Sequence, residues 1–241
     1  MDVTKFYQYK ENVLVEDSID INTSVCRYMS LSKLLHILDN RFYVSLKCGF
    51  SDKRESAELY NPFIKYLYID GVDMSKDILM LNKKNIKERK EISSDIYASC
   101  WSLEKNENFL MWKSYAPEET GVLIESSIKS IIESLEIDDY ELYVGRIKYR
   151  SEDTTSNLLS YLFSKEKFYK NEKELRIYFN SKHKQENSNA IILKCNPELL
   201  IKNITFSPCL DKRSRTLIEN LLICKYGFLN KRVKPSKIIE N

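Results

Sequence analysis

Glu172-Lys173-Glu174-Leu175-Arg176-Ile177-Tyr178-Phe179 opens on three charged residues and alternates charged with apolar side chains from Glu174 to Ile177, and its reading decides how the rest of the chain is read. In a strand, alternate side chains share a face, so Glu172, Glu174 and Arg176 are expected to project together while Leu175, Ile177 and Phe179 pack into a core behind them. One pleat then presents two carboxylates and a guanidinium. Adjacent like charges raise each other's pKa and a guanidinium lowers it, the kind of setting in which ionisation is tuned. A solvated edge strand with a cross-strand ion pair is the plainer reading of the same letters.

Working outward, helical and extended patterns alternate without a βαβ rhythm. Residues 1–20 are polar and aperiodic. Val25 to Tyr28 reads as a short strand, and Ser30 is placed to cap a helix with Leu31, Leu34, Leu35 and Leu38 on one face. Phe42 to Leu46 is extended; residues 56–96 hold apolar islands broken by Asn, Asp, Gly and Lys and read as an insertion. Ile96 to Ser102 predicts a buried strand, Asn108 to Ala116 a helix ended by Pro117, and Gly121 to Glu125 another strand. Ile128, Ile131, Ile132 and Leu135 repeat the helical stripe, and Leu142 to Tyr149 returns to strand character. Residues 155–168 predict a helix, Ala190 to Cys195 and Ile201 to Phe206 strands, and Arg213 to Tyr226 a helix stopped at Gly227. The expected fold is α+β, one domain over 1–241, with a mixed or antiparallel sheet and flanking helices.

The 241 residues carry 38 basic and 35 acidic side chains, so no global field draws the chain to nucleic acid or a membrane. Six cysteines (Cys26, Cys48, Cys100, Cys195, Cys209 and Cys224) form no Cys-x-x-Cys pair and are expected to be small buried hydrophobes of a reducing compartment. His36 and His183 are the only histidines, too few for a histidine-rich zinc site, and His36 reads as structural. No run approaches the roughly 18 apolar residues of a membrane span, and the first residues lack a secretory pattern, so a cytoplasmic location without membrane contact is expected.

Outside the opening stretch, Arg27 ends an apolar strand and can grip a phosphate or carboxylate through two parallel hydrogen bonds, or pair with an acid. In Met111-Trp112-Lys113-Ser114-Tyr115, Trp112 and Tyr115 lie three apart on a helix and Met111 and Tyr115 four apart. Either pair can line a cleft or fill the core. Asp52 and Glu55 with Glu172 and Glu174 offer oxygen ligands for magnesium. The chain has no P-loop, dinucleotide Gly-x-Gly-x-x-Gly, Gly-x-Ser-x-Gly elbow or His-Glu-x-x-His.

Taken in order, Cys26-Arg27-Tyr28 before a Leu-rich helix, Ser99-Cys100-Trp101-Ser102, Leu110-Met111-Trp112-Lys113-Ser114-Tyr115-Ala116, Gly121-Val122, Lys165, Tyr169 and Glu172-Lys173-Glu174-Leu175-Arg176 resemble the bacterial domain-of-unknown-function family 2971 over about residues 25–239. Where that family shows a Phe-Asn-Asp-Pro-Phe-Glu type motif, this chain has Ser51 for the asparagine and Lys53 for the proline, with Asp52 and Glu55 retained.

More distantly, an early-strand arginine, a middle Ser-x-x-Ser-like strand and a late Glu-x-Glu strand are similar to the ADP-ribosyltransferase fold. That resemblance implies an enzyme acting on NAD, with a protein or nucleic acid as acceptor, of the kind found among toxins and antiviral effectors and held in check by an inhibitory partner. It implies that Arg27 contacts the phosphates and ribose of NAD and that Ser102 or Ser99 supports the site. Glu174 would hold the ribose hydroxyl beside the bond that breaks, and Glu172 would orient or deprotonate the acceptor. Trp112 or Tyr115 would face the cationic nicotinamide ring. Two other readings stand beside it: a metal-dependent phosphodiesterase using Asp52, Glu55, Glu172 and Glu174, and a non-catalytic module whose aromatic cleft holds a peptide or nucleic acid.

Overall fold

A computed structural model describes residues 5–46, 68–69, 72–73, 96–104, 106–117, 119–150, 162–182 and 189–238. Its first elements are a hairpin, β1 (Phe6–Lys10) and β2 (Val13–Glu16), in the stretch whose sequence is aperiodic. Strand β3 (Ser24–Met29) leads through Ser30 into α1 (Leu31–Leu38) and β4 (Arg41–Leu46). A two-residue pair, β5 (Tyr68–Ile69) and β6 (Val72–Asp73), precedes β7 (Ile96–Ser102), α2 (Phe109–Tyr115), β8 (Val122–Ser127) and α3 (Ile128–Ser134). Next come β9 (Tyr140–Arg146), β10 (Lys148–Arg150), β11 (Ser164–Glu166), a 3-10 segment η1 (Lys167–Glu172) and β12 (Glu174–Ser181). The chain continues through β13 (Ala190–Lys194), α4 (Pro197–Leu200), β14 (Asn203–Phe206), α5 (Lys212–Lys225), η2 (Gly227–Leu229) and β15 (Val233–Lys234).

The main sheet runs β1-β2-β9-β12-β7-β3-β8-β14-β15, with β4 and β13 attached to it through β7. Strand pairs β2/β9 and β14/β15 are parallel and the other pairs in this sheet antiparallel, so the mixed sheet of an α+β chain is present. Strand β12 is no edge. It is laddered to β9 on one side and β7 on the other, and both its faces are buried from Glu174 to Phe179. The solvated-edge reading of this segment is thereby overturned.

At β7 the sheet forks. One edge of β7 pairs with β12 along its whole length, from Glu174↔Ser102 to Asn180↔Ile96. The other edge is shared. Strand β3 meets it at Cys26↔Ser102, and β4 meets it at Ser45↔Ala98 and Leu46↔Tyr97. Between those two ladders β3 and β4 diverge, and Ser99, Cys100 and Trp101 lie at the bottom of the gap.

The period-2 rule holds strictly on β12. Leu175, Ile177 and Phe179 enter the large core with Val13, Val15, Tyr97 and Trp101, while Tyr178 enters a smaller one with Ile96, Ala98, Leu162 and Phe163. On α3 the stripe of Ile128, Ile131, Ile132 and Leu135 is buried as its spacing predicts, each isoleucine contributing about 2 kcal/mol through removal from water. On α1 the inward set is Leu34, Ile37 and Leu38, and Leu35 faces outward, because a helix this short need bury only a narrow stripe. Asn108 caps α2 by accepting from the amides of Leu110 and Met111 at 2.9 and 3.4 Å.

Two further expectations change. Residues 164–168, read as helix, are β11 and the start of η1; residues 155–161 lie outside the described set. Cys209 and Cys224 are exposed, not buried, while Cys26 and Cys195 are buried as expected and Cys48 lies outside the described residues. Asp52, Glu55, His183 and most of the 56–96 insertion also fall outside it. His36 is exposed and meets the Tyr43 ring in a tilted contact, with ring centroids 5.0 Å apart. Among the described residues no helix is long and apolar enough to cross a membrane.

Candidate functional site

The fork opens into a cleft of about 450 Å³. Strand β3 supplies one wall with Arg27, β7 the floor with Cys100 and Ser102, and α2 the rim with Met111 and Tyr115. The far wall carries Lys165, Tyr169, Glu172 and Glu174. Arg27, Ser102, Glu172 and Glu174 are therefore brought to one place from positions up to about 150 apart in sequence.

Glu174 sits on β12 directly opposite Ser102 and is buried. Arg176, two residues on and therefore on the same face, holds it in a fork: Nε donates to Oε1, and Nη2 donates to Oε2 at 3.1 Å. The ammonium of Lys165 reaches Oε2 at 3.4 Å. Burial alone would raise the pKa of this carboxyl, but the charge and hydrogen bonds of Arg176, with Lys165 behind them, outweigh it and hold Glu174 at about 2. Arg176 is in turn fixed by Nη1 donating to the Tyr178 hydroxyl at 3.2 Å. The Glu174 amide donates to the hydroxyl of Tyr149 at 2.7 Å, and burial raises that phenol to about 12.

Glu172 does not share the strand. It is the last residue of η1, and Lys173 between the two acids adopts φ 43° and ψ 51°, the left-handed conformation that breaks the pleat. The expectation of three charges on one strand face is thus corrected to two, Glu174 and Arg176. Glu172 nonetheless returns to the same cleft by another route. Its Oε2 accepts from Lys165 Nζ at 2.7 Å, its Oε1 from the Tyr115 hydroxyl at 2.8 Å, and its backbone carbonyl from Ser102 Oγ at 2.8 Å. Lys165 is the clamp between the carboxylates, its ammonium 4.3 Å from the centre of the Tyr169 ring.

On the opposite wall Arg27 Nη1 donates to Ser99 Oγ at 3.2 Å, and the guanidinium lies 5.6 and 5.8 Å from the rings of Phe42 and Trp101. Ser99 Oγ also accepts from Trp101 Nε1 at 3.0 Å, so Ser99 orients the arginine from behind while Ser102 lines the cleft. Burial lowers the pKa of Arg27, but a guanidinium remains charged across the working range.

The two aromatic candidates separate. Tyr115 is at the rim, half exposed, and burial with the charge of Glu172 raises its phenol well above the ordinary range. Trp112 does not line the cleft. It is buried against Tyr28 in an edge-on contact at 5.0 Å and donates Nε1 to Glu107 at 3.2 Å, so its expected place over a cofactor ring is corrected to a core role. A helical turn that sends Tyr115 to the cleft sends its neighbour at three residues' distance elsewhere, and Met111 at four residues' distance to the same side. Sequence reasoning assigned no role to Lys33, Cys100, Lys165 or Tyr169, all of which line the cleft. For Lys165 and Tyr169 a signal existed in the family-like pattern around Glu172; Lys33 had none. Among the described residues no group of three or more His, Cys, Asp or Glu is arranged to hold a metal ion.

No curated protein and no solved structure matches the chain. Residues 111–208, which hold Tyr115, Lys165, Glu172, Glu174 and Arg176 and leave Arg27 and Ser102 outside, match the family model described as "Protein of unknown function (DUF2971)".

Proposed function

We propose that the cleft binds NAD and that the chain is an ADP-ribosyltransferase-like enzyme passing ADP-ribose to a protein or nucleic acid. The observation that carries this reading is the meeting of Arg27, Ser102 and the Glu172/Glu174 pair in one cleft. Arg27 offers a fixed guanidinium to the phosphates. Glu174, ionised at any working pH, accepts a hydrogen bond from the ribose hydroxyl next to the breaking bond. The bond between the anomeric carbon and the nicotinamide nitrogen breaks with its electron pair on the leaving nitrogen, so nicotinamide departs neutral and the ribose carbon becomes cationic. Carboxylates already in place stabilise that charge where it develops. The acceptor's nucleophilic atom then bonds to the same carbon, and Glu172 takes the proton it sheds. Tyr115 is the aromatic left to flank the nicotinamide ring. A toxin or antiviral role, with an inhibitory partner covering the cleft, fits an enzyme that consumes NAD.

The test is release of nicotinamide from NAD by the purified chain, with and without protein and nucleic-acid acceptors, compared with Glu172→Gln and Glu174→Gln. The reading expects release by the wild type and its loss in both variants. Folded wild type that binds NAD and releases nothing with every acceptor class overturns it.

A second reading, a recognition module without chemistry, is favoured by one observation: both oxygens of Glu174 are already engaged by Arg176 and Lys165. It expects Tyr115→Ala to abolish binding of a peptide or nucleic acid while Glu172→Gln leaves that binding intact; the reverse pattern excludes it.

A further inference from the structure

The wall opposite the carboxylates carries more positive charge than one arginine. Lys33, in the first two turns of α1, lines the same cleft as Arg27. Loss of water around its ammonium, then the neighbouring charge of Arg27, lower its pKa. Neither cation has a carboxylate within ion-pair distance among the described residues; the partners of Arg27 are a serine hydroxyl and two aromatic faces. The first turn of α1 holds no acid either. Both cations line one side of the cleft without an acid between them among the described residues, whereas Lys165 and Arg176 across the cleft are paired with Glu172 and Glu174. The cleft thus has a cationic side on β3 and α1, and facing it a wall on β11, η1 and β12 where carboxylates and cations balance.

We infer that Lys33 and Arg27 together form a diphosphate subsite, with Lys33 the residue that makes the cleft select ligands bearing two linked phosphates over those bearing one. Arg27, fixed by Ser99, takes one phosphate by its planar fork. Lys33, on a flexible stem at the cleft's edge, supplies a point charge to the second. The inference rests on the proposed reading for its choice of a dinucleotide, but its content is a matter of anion recognition and is measurable without turnover.

The experiment is calorimetric titration of wild type, Lys33→Gln and Lys33→Arg with inorganic pyrophosphate, inorganic phosphate, ADP-ribose and nicotinamide mononucleotide, with nicotinamide release followed in parallel. Lys33 is exposed, so both variants should melt with the wild type. The expected result is that pyrophosphate and ADP-ribose bind the wild type more tightly than phosphate and the mononucleotide. Lys33→Gln should weaken the diphosphates about tenfold or more and the monophosphates hardly at all, with Lys33→Arg restoring most of the difference. Equal binding of pyrophosphate by wild type and Lys33→Gln, equal binding of phosphate and pyrophosphate by the wild type, or no pyrophosphate binding by the wild type would each overturn the subsite. Selective pyrophosphate binding without nicotinamide release leaves the subsite standing and counts only against the transferase.

Discussion

The Tyr115 hydroxyl donates to Oε1 of Glu172 at 2.8 Å, tying the rim helix α2 to the 3-10 segment η1 across 57 residues of sequence. This bond fixes the one carboxylate of the pair that Arg176 does not hold. Tyr115→Phe should therefore lower nicotinamide release about five- to tenfold, in kcat more than in KM, while shifting stability by less than about 1 kcal/mol because the site is half exposed. Steady-state kinetics beside a thermal melt checks both halves.

Glu174 and Arg176 should dominate the acid limb of the stability curve. The folded pKa of Glu174, about 2, is depressed from the ordinary 4.5, so its contribution is fully present above pH 4.5 and is lost as pH falls from there towards 2. Its size is on the order of 3 kcal/mol at most. Urea titrations between pH 2 and 7 should show this slope in the wild type and a flatter one in Glu174→Gln. Arg176→Met should be less stable than the wild type by about 3–5 kcal/mol, because it strands a buried carboxylate.

How far the letters led can be judged on β12. Its core-facing residues were legible because the period of two is imposed by backbone geometry, and Leu175, Ile177 and Phe179 are where it puts them. The plainer, solvated reading of its charged face fails because Arg176 is among the most buried side chains of the described residues, an outcome of strand order that no local spacing encodes. Glu172 was placed on the strand because nothing in Glu-Lys-Glu announces that Lys173 will take positive φ. The hairpin of β1 and β2 was missed for a related reason: the first of its strands is an outer strand with little buried, leaving no alternation to see. Arg27 and Glu174 stand out by residue type and spacing and take their roles from family likeness, whereas Lys33 emerges only through the fork that brings α1 to the cleft.

Trp112 offers a direct contrast with Tyr115. Because its indole is packed on Tyr28 and bonded to Glu107, which also accepts from Ser236 Oγ at 2.7 Å, Trp112→Ala should cost about 3–5 kcal/mol and loosen the segment around Ser236. Trp112→Phe should fold with ligand affinity within about twofold of the wild type. Denaturant titration and calorimetry with ADP-ribose separate these outcomes, and a large affinity loss in a stable Trp112→Phe would return the indole to the site.

Gly145 on β9 is read by its neighbour. A Cβ there would stand 2.7 Å from Cε1 of Phe163, a buried ring packed edge-on to Tyr178, which carries Arg176. Gly145→Ala should destabilise by about 1–3 kcal/mol and disturb Glu174 indirectly, visible as a shifted acid limb in the same urea series.

The fork at β7 also makes the width of the cleft a matter of ladder register. Each strand bounding the gap completes its sheet through another neighbour, β3 with β8, β4 with β13 and β7 with β12. Side chains at 27, 45, 100 and 102 can then be exchanged without any strand losing its partner. A scaffold of this kind keeps the backbone frame of its receptacle while side chains on it change one at a time.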